Sequence, residues 1–383
     1  MHVDTRAIQS IRHFEHGAVV PPVHLASTFE MDAETVSGPF AYQRGSNPTR
    51  AHVETVIAAI EEAEYGFAFS TGMAATTSIF SLLSTGQEVL LPAGVYGGTY
   101  RYVDKYFAKA GLRARFFEDL GELSDEDFGE NTAMVFVETP GNPTLRIVDI
   151  QRAADLAHRH GALLVVDNTF MTGVLQRPLD LGADAVVQSA TKYLGGHSDL
   201  LAGAVTTNRA DIAEQIALNQ KAYGGVLDPL TSFRLLQAIK TLPLRLERQQ
   251  SNAVALAEHL RSHPGIARVL TAGSHSEREA AIHAAQASGP GAVLTFELAD
   301  GLDTVTFLES LELAAFAVSL GGVESLICQP ATMTHEAMSQ EARDRAGISD
   351  RLLRFSTGIE HISDLVADLD QALERAAFGG SAR

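Results

Sequence analysis

The stretch Ser-Ala-Thr-Lys-Tyr-Leu-Gly-Gly-His-Ser-Asp (189–199) follows a short apolar run and places Lys192 among hydroxyl side chains and glycines. A lysine in this setting, just past an apolar strand, suits a Schiff base with pyridoxal 5'-phosphate (PLP). Asp167 lies in Val-Val-Asp-Asn-Thr-Phe (165–170), and an acid at a strand end suits the pyridinium nitrogen of that cofactor. On residue type alone a surface lysine after a strand is the commoner arrangement, so further evidence has to come from other segments.

The composition is typical of a soluble globular enzyme. A chain of 383 residues is longer than a domain with one hydrophobic core usually is, which favours two domains or more. Apolar residues make up 45% and charged residues 20%, so the chain is neither disordered nor fibrous. The net charge of −18 argues against nucleic acid or an anionic membrane as a partner.

Cysteine usage and the amino-terminal sequence indicate a cytoplasmic location. Cys328 is the only cysteine, so no intrachain disulfide forms, as is usual in the cytosol. The first residues show no apolar stretch behind a basic flank, and we expect no secretory signal. No run of about eighteen apolar residues occurs, so no membrane span is predicted. The histidines form no H-E-x-x-H pattern, and we predict no metal site.

From about residue 50 onward, short apolar runs alternate with amphipathic segments. This predicts an α/β fold with a mostly parallel sheet covered on both faces, and such sheets bind ligands at the carboxyl ends of their strands. Glu138, Asp167 and Lys192 lie at or just past such ends. We predict an extended N-terminal arm (1–45), a large cofactor-binding domain (46–243) and a smaller α/β domain (244–383). Strands are predicted at 66–69, 88–91, 133–137, 163–166, 185–187, 292–297, 313–319 and 353–355, and helices at 51–64, 73–83, 100–110, 150–160, 228–252, 253–262 and 362–373.

Two segments could bind the phosphate and the ring of a cofactor. Ser-Thr-Gly-Met (70–73) lies between a predicted strand and a predicted helix, so its N–H groups and the helix dipole would face an anion. A capped helix start with a glycine in the turn is the alternative. Ser189 and Thr191 could add hydroxyls to the same anion. Tyr96, followed by two glycines, could stack on a cofactor ring, or could be a turn residue with a buried ring.

Two arginines could bind anions. Arg44, two residues after Tyr42, offers a guanidinium beside a hydroxyl for a phosphate, although a surface turn is the alternative. Arg354 occupies the centre of a predicted strand, where a buried charge needs an anion. That anion is either a substrate carboxylate or an internal acid. A nucleotide-binding α/β protein is disfavoured because neither the dinucleotide nor the P-loop signature is present.

Nine motifs in one order carry a resemblance to a known family. They are Tyr-Gln-Arg-Gly-Ser-Asn-Pro-Thr (42–49), Ser-Thr-Gly-Met-Ala-Ala (70–75), Tyr-Gly-Gly-Thr (96–99), Glu-Thr-Pro-Gly-Asn-Pro-Thr (138–144), Val-Asp-Asn-Thr-Phe (166–170), Ser-Ala-Thr-Lys-Tyr (189–193), Ser-Leu-Gly-Gly-Val-Glu-Ser-Leu (319–326), Met-Thr-His (333–335) and Gly-Ile-Glu (358–360). The chain thereby resembles the cysteine and methionine metabolism family of PLP enzymes. That family includes cystathionine γ-synthase, cystathionine γ-lyase, methionine γ-lyase and the O-acylhomoserine sulfhydrylases.

The resemblance implies the PLP-dependent transferase fold of type I and a role for each matching residue. Lys192 forms the internal aldimine with the cofactor and moves protons. Asp167 keeps the pyridine nitrogen protonated. Tyr96 stacks on the ring and is an acid or base at the leaving group. The phosphate is bound by four residues, namely Gly72 and Met73 through their backbone and Ser189 and Thr191 through their hydroxyls.

Further roles implied by the resemblance concern the neighbouring subunit and the substrate. Tyr42 and Arg44 reach the phosphate of a neighbouring subunit, which implies a homotetramer built from dimers with shared sites. Asn142, Ser319 and Arg354 bind the cofactor oxygen and the substrate carboxylate.

The sequence does not decide the identity of the substrate. Arg101 and Glu324 match positions that contact the distal end of the substrate in the cystathionine enzymes. Ala41, however, stands where those enzymes usually carry an acid, and Gly98 stands where methionine γ-lyases carry a cysteine. We expect γ-elimination or γ-replacement on a γ-substituted amino acid, with a thiol as co-substrate in the replacement. The alternatives are β-elimination, methionine γ-lyase activity, and a PLP-binding regulator without catalysis.

Overall fold

The computed structural model describes residues 1–12, 14–34, 38–336 and 338–379, so small parts of the predicted arm (13 and 35–37) and of the predicted second domain (337 and 380–383) lie outside the described residues. The strands are β1 Tyr65–Phe69, β2 Glu88–Pro92, β3 Arg113–Phe117, β4 Thr132–Glu138, β5 Leu163–Asp167, β6 Ala185–Gln188, β7 Gly203–Thr207, β8 Ile266–Leu270, β9 Val293–Leu298, β10 Ala315–Phe316, β11 Leu326–Cys328 and β12 Leu352–Ser356. The helices are α1 Val3–Gln9, α2 Pro48–Glu61, α3 Gly72–Phe80, α4 Gly97–Tyr102, α5 Ala108–Ala110, α6 Ile150–Arg159, α7 Thr172–Leu175, α8 Ala210–Tyr223, α9 Pro229–Ile239, α10 Leu242–Ser262, α11 Glu277–Gln286, α12 Thr304–Glu309, α13 Gln340–Arg345 and α14 Ile362–Gly379.

The larger sheet has seven strands in the order β1-β7-β6-β5-β4-β2-β3. All neighbours are parallel except at β7, which runs antiparallel to both β1 and β6. This departs from an all-parallel arrangement because the chain passes from β6 to β7 through the loop that carries Lys192, without the crossover helix that a parallel neighbour requires. The α/β class and the mostly parallel sheet are confirmed.

The smaller sheet has five strands in the order β10-β11-β12-β9-β8. Arg354 lies at the centre of β12, in register with Cys328 on one side and Thr295 on the other. The predicted strand at 313–319 was wrong in length, since only Ala315–Phe316 pairs. The chain leaves the sheet before Ser319, whose φ of 90° is incompatible with an extended strand. The strands of the first sheet lie within residues 65–207, and those of the second sheet lie within residues 266–356. The domain boundaries at 45 and 243 stay a prediction.

The helices differ from the sequence predictions mainly at their ends. The break predicted after residue 252 was wrong, because α10 continues to Ser262 and begins near Pro243, which occupies its first turn. Proline is tolerated there and stops the preceding helix α9. Between α4 and α5 the chain continues as a π-helical turn over Val103–Phe107. In the described ranges no helix is long and apolar enough to cross a membrane.

Candidate active site

A cavity of about 490 Å³ lies where the carboxyl ends of β4, β5 and β6 meet the second sheet. Its volume is that of an ordinary cofactor or ligand pocket. Of the fourteen predicted site residues, eleven line this cavity. They are Gly72, Met73, Tyr96, Arg101, Asn142, Asp167, Ser189, Thr191, Lys192, Ser319 and Arg354.

Lys192 lies in the turn that follows β6, and its ammonium group donates to Ser319 Oγ at 2.7 Å. Burial, followed by the positive charge of Arg354, lowers the pKa of Lys192 to about 8. A much larger fraction of this amine is therefore neutral near pH 7 than of an ordinary lysine. A neutral amine is the form that attacks a carbonyl carbon, so this environment suits a Schiff-base lysine.

Asp167 and Glu138 end neighbouring strands and face the same cavity. Asp167 Oδ1 accepts from the Thr169 N–H at 2.9 Å. Both oxygens of Glu138 accept from the Tyr96 N–H, at 3.0 and 3.2 Å. Burial raises the pKa of both carboxyls, and the charge of Asp167 further raises that of Glu138. Glu138 was identified at a strand end in the sequence but was not among the predicted site residues.

The start of α3 forms a concave surface suited to a phosphate. Thr71 caps this helix by accepting the Ala74 N–H at 2.9 Å, which confirms the capped helix start and leaves the anion site a prediction. A Cβ on Gly72 would lie 2.9 Å from Ser189 Oγ, so only glycine fits against that hydroxyl. Thr191 completes the group, with its hydroxyl donating to Ala202 O at 3.1 Å. Backbone N–H groups and hydroxyls are donors of the kind that a phosphate requires, and the Thr191 hydroxyl would have to leave Ala202 O to serve as one.

Arg354 is buried, with 3% exposure, and its hydrogen-bond acceptors are neutral. Its Nη1 donates to Asn142 Oδ1 at 2.9 Å and its Nη2 donates to Ser319 O at 2.7 Å. Its Nε is buried and has no hydrogen-bond partner among the described residues. A buried guanidinium with neutral partners and an unused donor suits an incoming carboxylate.

Three predicted residues lie outside this cavity. Tyr42 is half-exposed, and the Arg44 guanidinium carbon lies 5.7 Å from the Tyr42 ring centroid. Arg44 Nη1 donates to the Lys221 carbonyl. Glu324 is exposed, and its oxygen accepts a long hydrogen bond of 3.5 Å from Ser198 Oγ. Within one chain, none of the three reaches the cavity.

One further residue beside the site was not predicted as functional. His335 is buried with 2% exposure, and its Nδ1 lies 2.8 Å from Oγ1 of Thr334, which lines the cavity. Burial, followed by the charge of Arg354, lowers the pKa of His335 to about 4, so its ring is neutral. The signal was present, because His335 belongs to the Met-Thr-His motif (333–335).

Comparison with known proteins decides the family. A profile described as Cys/Met metabolism PLP-dependent enzyme matches residues 4–374. The chain belongs to this family. It is 44% identical to the cystathionine β-lyase MetC of Bacillus subtilis, covering 94% of this chain and 93% of that protein. It is 42% identical to the cystathionine γ-synthase/O-acetylhomoserine (thiol)-lyase of the same organism, covering 97% and 96%.

The fold agrees with solved structures of related enzymes. The crystal structure of cystathionine γ-lyase from Lactobacillus plantarum complexed with L-serine superposes with a TM-score of 0.94, at 38% identity, covering 98% of this chain and 99% of that one. The chain is therefore a PLP-dependent enzyme of fold type I, as the family predicts. Its own residues fit the cofactor, since the cavity combines a partly neutral lysine, an acid for the ring nitrogen and a group of anion donors.

Proposed function

We propose that this Cys/Met metabolism PLP-dependent enzyme catalyses γ-elimination or γ-replacement on a γ-substituted amino acid, such as cystathionine or an O-acylhomoserine. The observation that carries this proposal is that Lys192 shares its cavity with two guanidinium groups, those of Arg354 and Arg101. One arginine can bind the α-carboxylate beside the reacting carbon, and the other can bind a second carboxylate at the far end. Cystathionine carries a carboxylate at both ends.

Each of the cavity residues has a distinct task in this proposal. PLP, when bound, supplies the electron sink that makes the protons of the substrate carbons acidic. Arg354, oriented by Asn142, binds the α-carboxylate through its planar fork. The Lys192 amine, held by Ser319 Oγ, takes and returns protons at the substrate carbons. Tyr96, which is 48% exposed at the cavity, reaches the leaving group.

Tyr96 and Gly98 also bear on the methionine γ-lyase alternative. A Cβ on Gly98 would lie 2.5 Å from Cε1 of Tyr96 and 3.0 Å from Sδ of Met73. A cysteine at this position therefore requires the Tyr96 ring to move. The orientation of Tyr96 is compatible with glycine alone, which favours substrates other than those of the methionine specialists.

We also propose that the enzyme works in the cytoplasm as a homotetramer in which neighbouring subunits share sites. Tyr42 and Arg44 are exposed on their own chain, where a neighbour could approach them. Mixing Lys192→Ala subunits with Arg44→Ala subunits tests this sharing. Hybrids should recover activity that neither variant has alone, because one of the sites at each shared interface is then intact. Failure of all mixtures to recover activity would refute shared sites.

β-Elimination is a second candidate because the similar Bacillus subtilis protein is named a cystathionine β-lyase. The products of cystathionine cleavage separate the two reactions. γ-Elimination releases cysteine and 2-oxobutanoate, whereas β-elimination releases homocysteine and pyruvate. Adding cysteine to the enzyme with an O-acylhomoserine tests replacement, which yields cystathionine. The Lys192→Ala variant is the control and should be inactive in all three assays. Pyruvate as the sole oxo acid, together with no cystathionine formed from the O-acylhomoserine, would refute the γ-reaction.

A further inference from the structure

Two carboxyl groups lie side by side at the base of the cavity. Glu138 ends β4, Asp167 ends β5, and the two residues are register partners in a parallel pair. Neighbouring strands lie about 4.8 Å apart, and side chains at the same level of the pleat point to the same face. Both residues line the cavity. The proposed function uses only Asp167, so the second acid needs its own explanation.

Glu138 has little to stabilise a negative charge. Within the part of the chain that the structure describes, its two oxygens share a single donor, the Tyr96 N–H. Asp167 accepts from Thr169 and, in the proposed function, also faces the cationic nitrogen of the cofactor ring. One N–H offsets only part of the cost of removing a carboxylate from water.

Other charged groups around Glu138 come from two sides. The cofactor cavity contributes the cations Arg354 and Arg101, which substrate carboxylates would occupy, and Lys192, which would be joined to the cofactor. A second cavity of about 710 Å³ also reaches Glu138, and its other charged or titratable residues are Tyr100, Glu118, Asp119, Arg146, Arg268, Arg345 and His275. The arginines of this second cavity have acidic partners of their own, at 2.9 Å (Arg345–Glu118), 3.1 Å (Arg146–Glu279) and 2.6 Å (Arg268–Glu297).

We propose that Glu138 is a positioning residue that carries a proton at neutral pH, so that the Glu138–Asp167 pair holds one negative charge, located on Asp167, which would face the ring nitrogen of the cofactor. This inference rests on the proposed PLP chemistry. Two carboxyls this close do not both ionise readily, and the proton stays on the one with fewer donors and no facing cation. The pKa of Glu138, raised by burial and by Asp167, supports the same assignment.

A consequence is that the charge beside the ring nitrogen of the cofactor depends on pH. When the pH rises far enough to ionise Glu138, a second negative charge lies beside Asp167. That charge favours protonated forms of the ring nitrogen and of the lysine-bound cofactor. Glutamine at this position keeps an acceptor for the Tyr96 N–H but cannot ionise, so it should remove this pH dependence.

Infrared difference spectroscopy of the holoenzyme tests the proton directly. Wild type minus Glu138→Gln should show the C=O stretch of a protonated carboxyl at neutral pH, which weakens as the pH is raised. Glu118→Gln, at an acid of the second cavity that pairs with Arg345, is the matched control and should retain the band. In NMR spectra with ¹⁵N-labelled PLP, the ring nitrogen should be protonated in wild type and in Glu138→Gln, but not in Asp167→Asn.

Two results would overturn the inference. One is that no protonated-carboxyl band disappears in Glu138→Gln. The other is loss of the ring-nitrogen proton in that variant, which would mean that Glu138 supplies a necessary negative charge. Running the infrared comparison on the cofactor-free chain as well separates the two proposals. A chain that never takes up PLP refutes the proposed function, whereas a missing band refutes the proton on Glu138.

Discussion

Replacing Arg354 by methionine should shift the pH dependence of cofactor capture by Lys192 to higher pH. Both side chains contact Ser319, Lys192 through Oγ at 2.7 Å and Arg354 through the carbonyl at 2.7 Å. The guanidinium charge is the second cause, after burial, of the low pKa of Lys192. Methionine keeps much of the apolar volume of arginine but removes that charge, so the protonated amine becomes more stable.

The size of the effect follows from the separation of the two charges. Charges on either side of one residue, about 7 Å apart at an effective dielectric of about 20, repel by about 2 kcal/mol. Water in the cavity screens part of this repulsion, which leaves about one pKa unit. With a pKa of about 8 in wild type, about a tenth of the amine is neutral at pH 7. A pKa one unit higher reduces the neutral fraction of the amine at pH 7, and with it the rate of cofactor capture, by about tenfold.

The assay is the rate at which the visible absorption of lysine-bound cofactor appears after cofactor-free protein is mixed with PLP. It is measured across the pH range on both sides of 8, and circular dichroism checks that the variant is folded. Arg351→Met is the control, because Arg351 pairs with Asp300 at 2.5 Å and does not line the cavity. The reasoning is refuted if Arg354→Met has the same midpoint as wild type, or if the wild-type midpoint is that of an ordinary lysine.

Two further substitutions test other parts of the site, and a third tests Glu61, a buried acid that does not line the cavity. Arg101→Gln should lower kcat/KM for cystathionine by about 10- to 100-fold, which corresponds to the loss of one charged hydrogen bond. In the same steady-state kinetics, kcat/KM for O-acetylhomoserine should stay nearly unchanged. Equal losses for the two substrates would contradict the distal role of Arg101. Gly72→Ala should weaken PLP binding by about tenfold in a fluorescence titration, because the new Cβ would lie 2.9 Å from Ser189 Oγ. Gly129→Ala is the control and should bind PLP as wild type does, because its Cβ would lie 3.9 Å from the nearest heavy atom. Burial raises the pKa of Glu61 to about 8, so its contribution to stability is complete below about pH 4.5 and is lost as the pH rises to 8. Glu61→Gln should therefore unfold at a higher temperature than wild type at pH 8, by an amount that disappears near pH 4.5; a constant difference would argue against a buried neutral acid.

The central strands could be predicted from the sequence because burial on both faces leaves a continuous apolar pattern. The prediction for β5 stopped at Val166, one residue before its observed end. β3 and β7 were missed for physical reasons. β3 is an edge strand that reads Arg-Ala-Arg-Phe-Phe, so only part of it is apolar. β7 reads Gly-Ala-Val-Thr-Thr, in which Gly203 and Ala204 disfavour a strand and only the last three residues, which are β-branched, favour one.

The site could be predicted as a set of residues but not as a set of contacts. Motifs identified Lys192 and Asp167, and Arg354 was identified as an arginine within an apolar strand. Lys192 and Ser319, however, are 127 positions apart, and Asn142 and Arg354 are 212 apart. No local pattern specifies such pairs. For the same reason the sequence could not decide whether the partner of Arg354 is a substrate carboxylate or an internal acid. Only the structure shows that the hydrogen-bond acceptors of Arg354 are neutral.

The neutral partners of Arg354 have a consequence for the order of events in the cavity. Because no acid among the described residues pairs with this charge, it acts on its surroundings and lowers the pKa of both Lys192 and His335. A substrate carboxylate bound to Arg354 offsets the same charge, so the pKa of Lys192 rises again. The lysine is thus partly neutral, and able to capture the cofactor, before the substrate binds, and it is a stronger base once the carboxylate is in place. In Arg354→Met the first state is lost, because without the guanidinium charge the pKa of Lys192 stays raised whether or not substrate is bound.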